Sequence, residues 1–268
     1  MKPNKLKLLD PKYLKEYYEE IPYTFNEKLK KLPSNKDFSI KDFEFYFVAS
    51  ALFSSKIEGN RLDFNSFYRN RGNSKLAFRK KDVDEVEDLV TAYKFAVENE
   101  LNHENILRAH KILAAHLLLP FQRGRYRQNL MYVQNEETGE IVYEGPDWKS
   151  VPKLMEKLFM DIKYLLKVKL TNEEVFYYAS MLHLWFVKIH PLADGNGRSA
   201  RLLEKWFLVS KLGNKAWSIM SERYYWNNRN EYYKNVSLGA TYYDIDWNKS
   251  MSYLVMLPLS VVYSVKES

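Results

Sequence analysis

Residues 190–201 read HPLADGNGRSAR, a predicted loop between two helices. Gly195 and Gly197 lack a Cβ, so their backbone N–H groups can come close to a ligand. A helix is predicted to begin near Gly197, and the N-terminus of a helix attracts anions. Arg198 and Arg201 add positive charge at that end, where the helix dipole disfavours it unless an anion binds nearby. The stretch is therefore predicted to bind phosphate between two helices.

Two further side chains of this stretch have the chemistry of a reaction. His190, fixed by Pro191, is a candidate general base because an imidazole titrates near neutral pH. Asp194 offers hard oxygen ligands suited to Mg²⁺ held between a carboxylate and phosphates.

Simpler interpretations of these residues stay open at this point. A DGNG sequence is often a plain turn, and Arg201 could pair with Glu204 one helical turn away. His183 could join His190 and Asp194 in a transition-metal site, although the proline after His190 breaks the helix there. We expect His183 instead to be a hydrogen-bonded histidine of the core.

The composition bounds the class of protein. The 268 residues are 46% hydrophobic and 28% charged, which excludes a disordered chain. Nine Gly and nine Pro are few, which favours long helices over many short strands. The absence of Cys excludes disulfides, thiolate nucleophiles and zinc–thiolate sites.

The net charge of +7 is compatible with nucleic acid, nucleotides or acidic proteins and selects none of them. The N-terminus lacks the apolar core of a signal peptide, and no apolar run approaches the ~20 residues of a membrane span, so we expect a cytoplasmic protein and no membrane partner.

Apolar periodicity predicts a mostly α-helical fold. We expect short helices in the first ~35 residues to pack on the main body, as short helices rely on tertiary packing. Longer helices are predicted over 43–58, with a Ser39–Asp42 capping box and an end at Gly59, over 82–96, 104–118, 151–165, 172–189 and 197–213, and in a tail ending near Tyr263. Thr171 with Glu174 forms a second capping box. Residues 69–81 are predicted to be a solvated basic loop, with a partner-binding patch as the alternative.

The segment from Leu130 to Tyr143 differs from its surroundings. Residues 130–133 and 141–143 are rich in β-branched, aromatic and other apolar side chains, and a turn-forming stretch separates them. This pattern predicts a β-hairpin, which would be marginal unless it packs on helices.

The 190–201 stretch resembles the signature of the Fic family of the Fic/Doc superfamily, H-x-F-x-[D/E]-G-N-G-R-x-x-R. The matching residues are His190, Asp194, Gly195, Asn196, Gly197, Arg198 and Arg201. Leu192 departs from the usual Phe, and it keeps the position apolar with less contact area. The second Gly of the motif, Gly197, is missing from the Doc-like kinase variant, which disfavours that activity.

The resemblance implies a Fic-type helical bundle with a small β-hairpin flap, and an enzyme that transfers AMP from ATP to a protein hydroxyl with Mg²⁺. By resemblance, His190 takes the proton from the target hydroxyl, Asp194 holds Mg²⁺ and Asn196 orients the α-phosphate. Gly195, Gly197 and Arg198 neutralise the phosphates, and Arg201 holds either the γ-phosphate or Glu58. The partner is then a target protein with a Ser, Thr or Tyr hydroxyl, with self-modification and a homo-oligomer as further options.

Two other segments are similar to family features. The hairpin looks like the flap that docks the target, through Met131, Tyr132, Val133, Ile141, Val142 and Tyr143. Residues 54–60, SSKIEGN, resemble the inhibitory motif [S/T]-x-x-x-E-[G/N], with Ser54, Glu58 and Gly59 in the fixed positions. We therefore expect an N-terminal helical extension with the inhibitory helix over 1–80, and a Fic core with C-terminal helices over 81–268.

Rival functions remain at this stage. The same fold could remove AMP from a modified protein, with Glu58 positioning water, or could transfer UMP or phosphocholine. A nucleic-acid-binding module is disfavoured because no helix-turn-helix, zinc or RNA-binding signature appears.

Overall fold

Helices account for most of the chain, and the computed structural model describes residues 5–33, 40–70, 80–134 and 138–264. The α-helices are α1 (Leu14–Glu20), α2 (Phe25–Lys30), α3 (Ile40–Ile57), α4 (Phe64–Asn70), α5 (Lys80–Glu98), α6 (His103–Leu113), α7 (Val151–Lys167), α8 (Asn172–Ile189), α9 (Asn196–Leu212), α10 (Ser221–Asn227), α11 (Arg229–Val236), α12 (Met251–Leu254) and α13 (Met256–Ser264). Strands β1 (Tyr132–Gln134) and β2 (Ile141–Glu144) form one antiparallel pair. The prediction of a mostly α-helical fold with one small hairpin is confirmed.

The central pair of helices, α8 and α9, positions the functional loop between them. Helix α8 is apolar around nearly its whole circumference, so it is buried on almost every side. Its start has the predicted capping box, in which the Thr171 hydroxyl accepts from the N–H of Glu174 and the Glu174 carboxylate accepts from the N–H of Thr171. Its end is at Ile189, as expected for a helix whose next residue precedes a proline.

The N-terminal segment packs on this centre, as predicted. The buried carboxylate of Asp161 on α7 accepts hydrogen bonds from the backbone N–H groups of Lys7, Leu8 and Leu9, at 2.7 to 2.9 Å. The ring of Phe25 on α2 meets Phe176 of α8 edge-on at 4.7 Å. Helix α3 packs against α5 and α10, which brings its C-terminal end next to α9.

The predicted helix over 104–118 is wrong at its C-terminal end, because α6 ends at Leu113. The Asp88 carboxylate on α5 accepts from the backbone N–H of His116 at 2.8 Å and contacts its ring at 2.9 Å. That N–H would otherwise bond inside a continuing helix, so the contact with α5 diverts the chain before Pro120.

The strand bounds differ from the prediction: β1 begins at Tyr132 rather than Leu130 and runs to Gln134, and β2 runs one residue past Tyr143 to Glu144. Val133 pairs with Tyr143 and Gln134 pairs with Ile141, with a bulge between Val133 and Gln134. The hairpin packs on the helices through Tyr143, which is 6% exposed and donates its hydroxyl to the Lys188 carbonyl at 2.6 Å.

Some predictions lie outside the described residues. These are the cap at Ser39, the turn at 135–137 and most of the basic stretch at 71–79. Of that stretch, residues 69–70 end α4 and residues 80–81 begin α5. Among the described residues, no helix is long and apolar enough to cross a membrane.

Candidate active site

His190 sits at the turn between α8 and α9 in an unusual backbone conformation. Its φ of 48° makes it the one non-glycine residue with positive φ in the described part of the chain. Its Nδ1 lies 3.1 Å from the Val187 carbonyl, which can only accept, so Nδ1 carries the proton and donates. Burial lowers the pKa of His190 to about 4, so the imidazole is neutral at pH 7. The lone pair of Nε2 is therefore available to accept a proton.

The loop after His190 is closed by Asn196. The side-chain amide of Asn196 donates to the Leu192 carbonyl at 3.0 Å and accepts from the Leu192 N–H at 2.9 Å. Leu192 is 1% exposed, so it still anchors the loop in the core where the family motif has Phe. Because both ends of the Asn196 amide are used within the loop, this residue offers a ligand its backbone N–H at the start of α9.

Two residues that sequence reasoning missed hold this loop from outside. The guanidinium of Arg127 donates to the carbonyls of His190, Asn129 and Pro146 at 2.6 to 2.8 Å, which ties the loop to both sides of the hairpin. His110 on α6 has its Nε2 3.1 Å from the Asp194 carbonyl, while its Nδ1 accepts from the Gly124 N–H at 3.0 Å. Burial lowers the pKa of His110 to about 4, so this neutral tautomer persists at pH 7. The sequence shows an Arg just before the hairpin and a His on α6. No motif spacing links either residue to the 190–201 loop, so the sequence alone does not identify them.

We define the cradle as the backbone of residues 195–197 at the N-terminus of α9 together with the side chains of Arg198 and Arg201. Gly195 has a φ of 76°, so this turn favours glycine. A Cβ on Gly197 would lie 2.5 Å from Oε1 of Glu58 and 3.2 Å from a guanidinium nitrogen of Arg201. The Glu58 carboxylate thus lies directly against the cradle.

Arg201 joins the cradle to α3. Its Nε donates to the Ser54 hydroxyl at 2.8 Å, and its Nη2 donates to the Ser54 carbonyl at 3.0 Å and to Glu58 Oε1 at 2.6 Å. Burial alone would raise the pKa of Glu58, but the charges of Arg201 and Arg198 outweigh it and leave that pKa lowered. Glu58 is therefore an ionised carboxylate held by Arg201. The alternative partner of Arg201, Glu204, instead contacts His183 at 2.9 Å.

Arg198 is held more loosely. Its guanidinium nitrogens lie 3.5 Å from Glu85 on α5 and 3.6 Å from Asp194, longer than good hydrogen bonds. Its Nε is buried and makes no hydrogen bond to any described residue. Burial raises the pKa of Glu85, and the nearby Arg198 offsets part of that rise. Arg198 thus has donor capacity left for an anion in the cradle.

Asp194 provides the accessible carboxylate of the site, with its side chain 53% exposed. Among the described residues, no three His, Cys, Asp or Glu side chains cluster as a metal cage. Mg²⁺ usually binds one or two carboxylates together with substrate phosphates and water, so a single exposed Asp beside a cradle fits this ion. His183 fits no metal site, because its nitrogens contact Glu204 and Tyr232 in the core, as expected of a core histidine.

The predicted inhibitory residues contact α9, whereas the predicted docking residues belong to the hairpin, which contacts the end of α8 through Tyr143. Ser54 on α3 and Glu58, in the turn directly after α3, both contact Arg201, and Gly59 follows in that turn with a φ of 94°. On the hairpin, Tyr132, Ile141 and Val142 are more than 40% exposed.

Part of the chain matches a known protein family. Residues 100–208 match the Fic/DOC family. This Fic segment runs from the start of α6 through the hairpin to α9 and contains His190 and the cradle, whereas Ser54 and Glu58 lie before it.

The Fic segment has relatives in animals. The chain is 29% identical over 163 residues to a protein of Drosophila willistoni named protein adenylyltransferase Fic, covering 57% of this chain and 30% of that protein. A protein of the same name from Nematostella vectensis is 27% identical over 211 residues, covering 74% of this chain and 45% of that protein. The chain thus spans less than half the length of these relatives.

Solved structures share the fold. A Fic family protein from Desulfovibrio desulfuricans superposes with a TM-score of 0.74 at 21% identity, covering 99% of this chain and 77% of that one. A Fic domain containing signaling protein from Bacteroides thetaiotaomicron gives a TM-score of 0.68 at 21% identity, covering 91% and 94%. The arrangement of helices around a small hairpin is therefore the Fic fold.

Proposed function

We propose that the chain is a protein adenylyltransferase, which transfers AMP from ATP to a hydroxyl side chain of a target protein. The names of the relatives support this activity. The observation that carries it is the neutral His190, with an available Nε2, next to a helix N-terminus that has two arginines.

The reaction assigns a role to each residue of the loop. Nε2 of His190 accepts the proton of the target Ser, Thr or Tyr hydroxyl. The hydroxyl oxygen then bonds to the α-phosphorus of ATP, the bond from that phosphorus to the bridging oxygen breaks, and pyrophosphate leaves. The N–H groups of residues 195–197 and the side chains of Arg198 and Arg201 stabilise the charge on the phosphates, with Arg201 at the γ-phosphate.

Asp194 is the residue that would hold Mg²⁺ against the phosphates. The ion, when bound, neutralises charge on the phosphate oxygens. The backbone N–H of Gly195 donates to Oδ1 of Asp194, which keeps the carboxylate beside the cradle.

Glu58 is assigned as an intramolecular inhibitor. Its carboxylate contacts the same guanidinium that would hold the γ-phosphate, and Ser54 fixes that guanidinium to α3. Gly59 ends the segment in a left-handed turn that holds the carboxylate at the helix end.

The hairpin is assigned as the docking flap for the target, which includes self-modification when a second copy supplies the hydroxyl. Its exposed apolar residues and its β1 edge suit an extended segment that adds as a strand. The edge of β2 is partly used, since the Glu144 N–H bonds to the Ala240 carbonyl at 2.8 Å.

The test is mass spectrometry of lysate proteins and of the chain itself after incubation with ATP and Mg²⁺. The Glu58→Gly variant should form AMP adducts, and Glu58→Gly with His190→Ala should form ~10²–10⁴ times fewer, as expected for loss of a general base. Matched ATP affinity of the two variants, measured by calorimetry, is the control. Adducts from UTP or CDP-choline in place of ATP, or loss of AMP from a modified protein, would replace the proposed reaction.

A further inference from the structure

A continuous set of buried polar groups leads from Arg201 away from the cradle into the core. Nη1 of Arg201 donates to the Tyr232 hydroxyl of α11 at 3.2 Å. That hydroxyl lies 3.0 Å from Nε2 of His183 on α8, and Nδ1 of His183 lies 2.9 Å from Oε2 of Glu204 on α9. Arg201, His183 and Glu204 are fully buried and Tyr232 is 3% exposed. We call these four residues the arginine relay.

The partners fix the direction of every hydrogen bond in the arginine relay. The Glu204 carboxylate accepts, so Nδ1 of His183 carries the proton. Burial lowers the pKa of His183, which keeps the ring neutral and leaves Nε2 as an acceptor. The Tyr232 hydroxyl must then donate to Nε2, and its oxygen is left to accept from Arg201. Each member thus has one role, which orients the Tyr232 oxygen toward the guanidinium.

The other described hydrogen bonds of Arg201 go to α3 and to Glu58, the residue that follows it. Ser54 accepts two of them and Glu58 accepts one. In the proposed function, Glu58 leaves Arg201 when nucleotide binds. The Tyr232 hydroxyl is then the described partner of Arg201 that lies outside α3 and the residue after it.

We propose that Tyr232, oriented by His183 and Glu204, is a positioning residue that fixes the Arg201 guanidinium for the anion bound in the cradle. This inference rests on the proposed function, because it assigns the γ-phosphate of ATP as the anion that replaces the Glu58 carboxylate. Hydrogen bonds to charged groups are strong in a buried site, so loss of a single hydroxyl should be measurable.

The experiment removes that hydroxyl in the Glu58→Gly background. The affinities of Tyr232→Phe for ATP and for ADP are measured by calorimetry. The matched control is Tyr253→Phe, which removes a fully buried hydroxyl from the same aromatic cluster, 6.1 Å from Tyr232 between ring centroids, without touching Arg201. We expect Tyr232→Phe to weaken ATP binding about fivefold to tenfold and ADP binding less than twofold, because ADP lacks the γ-phosphate. The control should leave both affinities within about twofold.

Three results would overturn the proposal: unchanged ATP affinity in Tyr232→Phe, equal losses for ATP and ADP, or the same ATP loss in the control. A Glu58→Gly protein that binds no ATP would instead refute the proposed function. The ¹⁵N resonances of His183 then decide on the arginine relay without nucleotide. An unprotonated Nε2 whose shift changes in Tyr232→Phe supports it, and a protonated Nε2 at pH 7 refutes it.

Discussion

A side chain at position 197 would have to share its space with the Glu58 carboxylate. The Cβ of an alanine there would lie 2.5 Å from Oε1 of Glu58, so the carboxylate would have to move. In the proposed function, the same methyl group would lie where phosphate oxygens approach the backbone of the cradle. We expect Gly197→Ala to bind ATP at least tenfold more weakly in the Glu58→Gly background, by calorimetry, since close backbone approach needs glycine. ATP affinity unchanged by the methyl group would show that nucleotide does not bind against residue 197.

Removal of the Glu58 carboxylate should also change the rate of target labelling. Removal of the carboxylate in Glu58→Gly should raise target labelling from α-³²P-ATP at least tenfold, since a charge-assisted contact of ~1.5–3 kcal/mol corresponds to roughly 10–150-fold in rate. Adding Arg201→Ala should abolish the gain, because the γ-phosphate then has no guanidinium to bind. The matched control is Glu98→Gly, which changes an exposed glutamate at the end of α5. Equal labelling by wild type and Glu58→Gly over a range of ATP concentrations would refute the inhibitory role.

The residues of the site differ in how far the sequence could predict them. The contact of Glu58 and Ser54 with Arg201 was expected from a motif match, and the structure places these side chains together. Arg127 and His110 were missed because their partners are carbonyl groups distant along the chain, which no local spacing encodes. Tyr232 was missed for the same reason, since 31 residues separate it from Arg201.

The hairpin and the end of α6 show which bounds of helices and strands the local sequence determines and which depend on contacts with distant residues. The strands were predicted from β-prone residues around a turn, but β1 begins at Tyr132 rather than Leu130, because strand ends depend on pairing with the partner strand. The start of α8 was predicted fully, because a capping box is made by residues three apart. The end of α6 was not, because Asp88 on a different helix diverts the chain at His116.

Proline substitutions in the hairpin strands should affect transfer to protein more than ATP affinity. A proline at Val133 or Ile141 removes a backbone donor and disturbs strand pairing, while the cradle lies on the α8–α9 loop. In the Glu58→Gly background, these variants should lose transfer to protein by at least tenfold and keep ATP affinity within about threefold, since a general-base site without a docked hydroxyl does not react. Labelling assays and calorimetry on the same samples compare the two effects. Equal losses of transfer and ATP affinity would mean that the hairpin only supports the fold.

In the whole molecule, the low pKa values of buried histidines make the free energy of unfolding depend on pH. The pKa values of His110 and His190 are both about 4 in the folded chain, below the ~6.5 of an unfolded histidine. The unfolded chain therefore binds more protons between pH 6.5 and 4, so the free energy of unfolding falls as pH falls through that window. We expect a loss on the order of 1–2 kcal/mol per histidine between pH 7 and pH 5, by urea unfolding.

A variant of His110 separates the pH dependence caused by this buried histidine from that caused by titrating groups on the surface. His110→Asn should be less stable than wild type at pH 7 and should lose less free energy of unfolding on going to pH 5, because one buried titrating group is gone. A wild-type stability that is the same at both pH values, or an unchanged pH dependence in the variant, would contradict the assignment of these rings as neutral.

The contact between Glu58 and Arg201 joins residues 143 positions apart in one polypeptide. A competitor tethered in this way has a fixed local concentration, so dilution of the protein cannot release it. In the proposed function, the nucleotide binds to the fraction of molecules in which the carboxylate has left, and its apparent affinity is reduced by that fraction. Saturating ATP could overcome such a competitor, whereas a partner that holds α3 away from α9 would act at any ATP concentration.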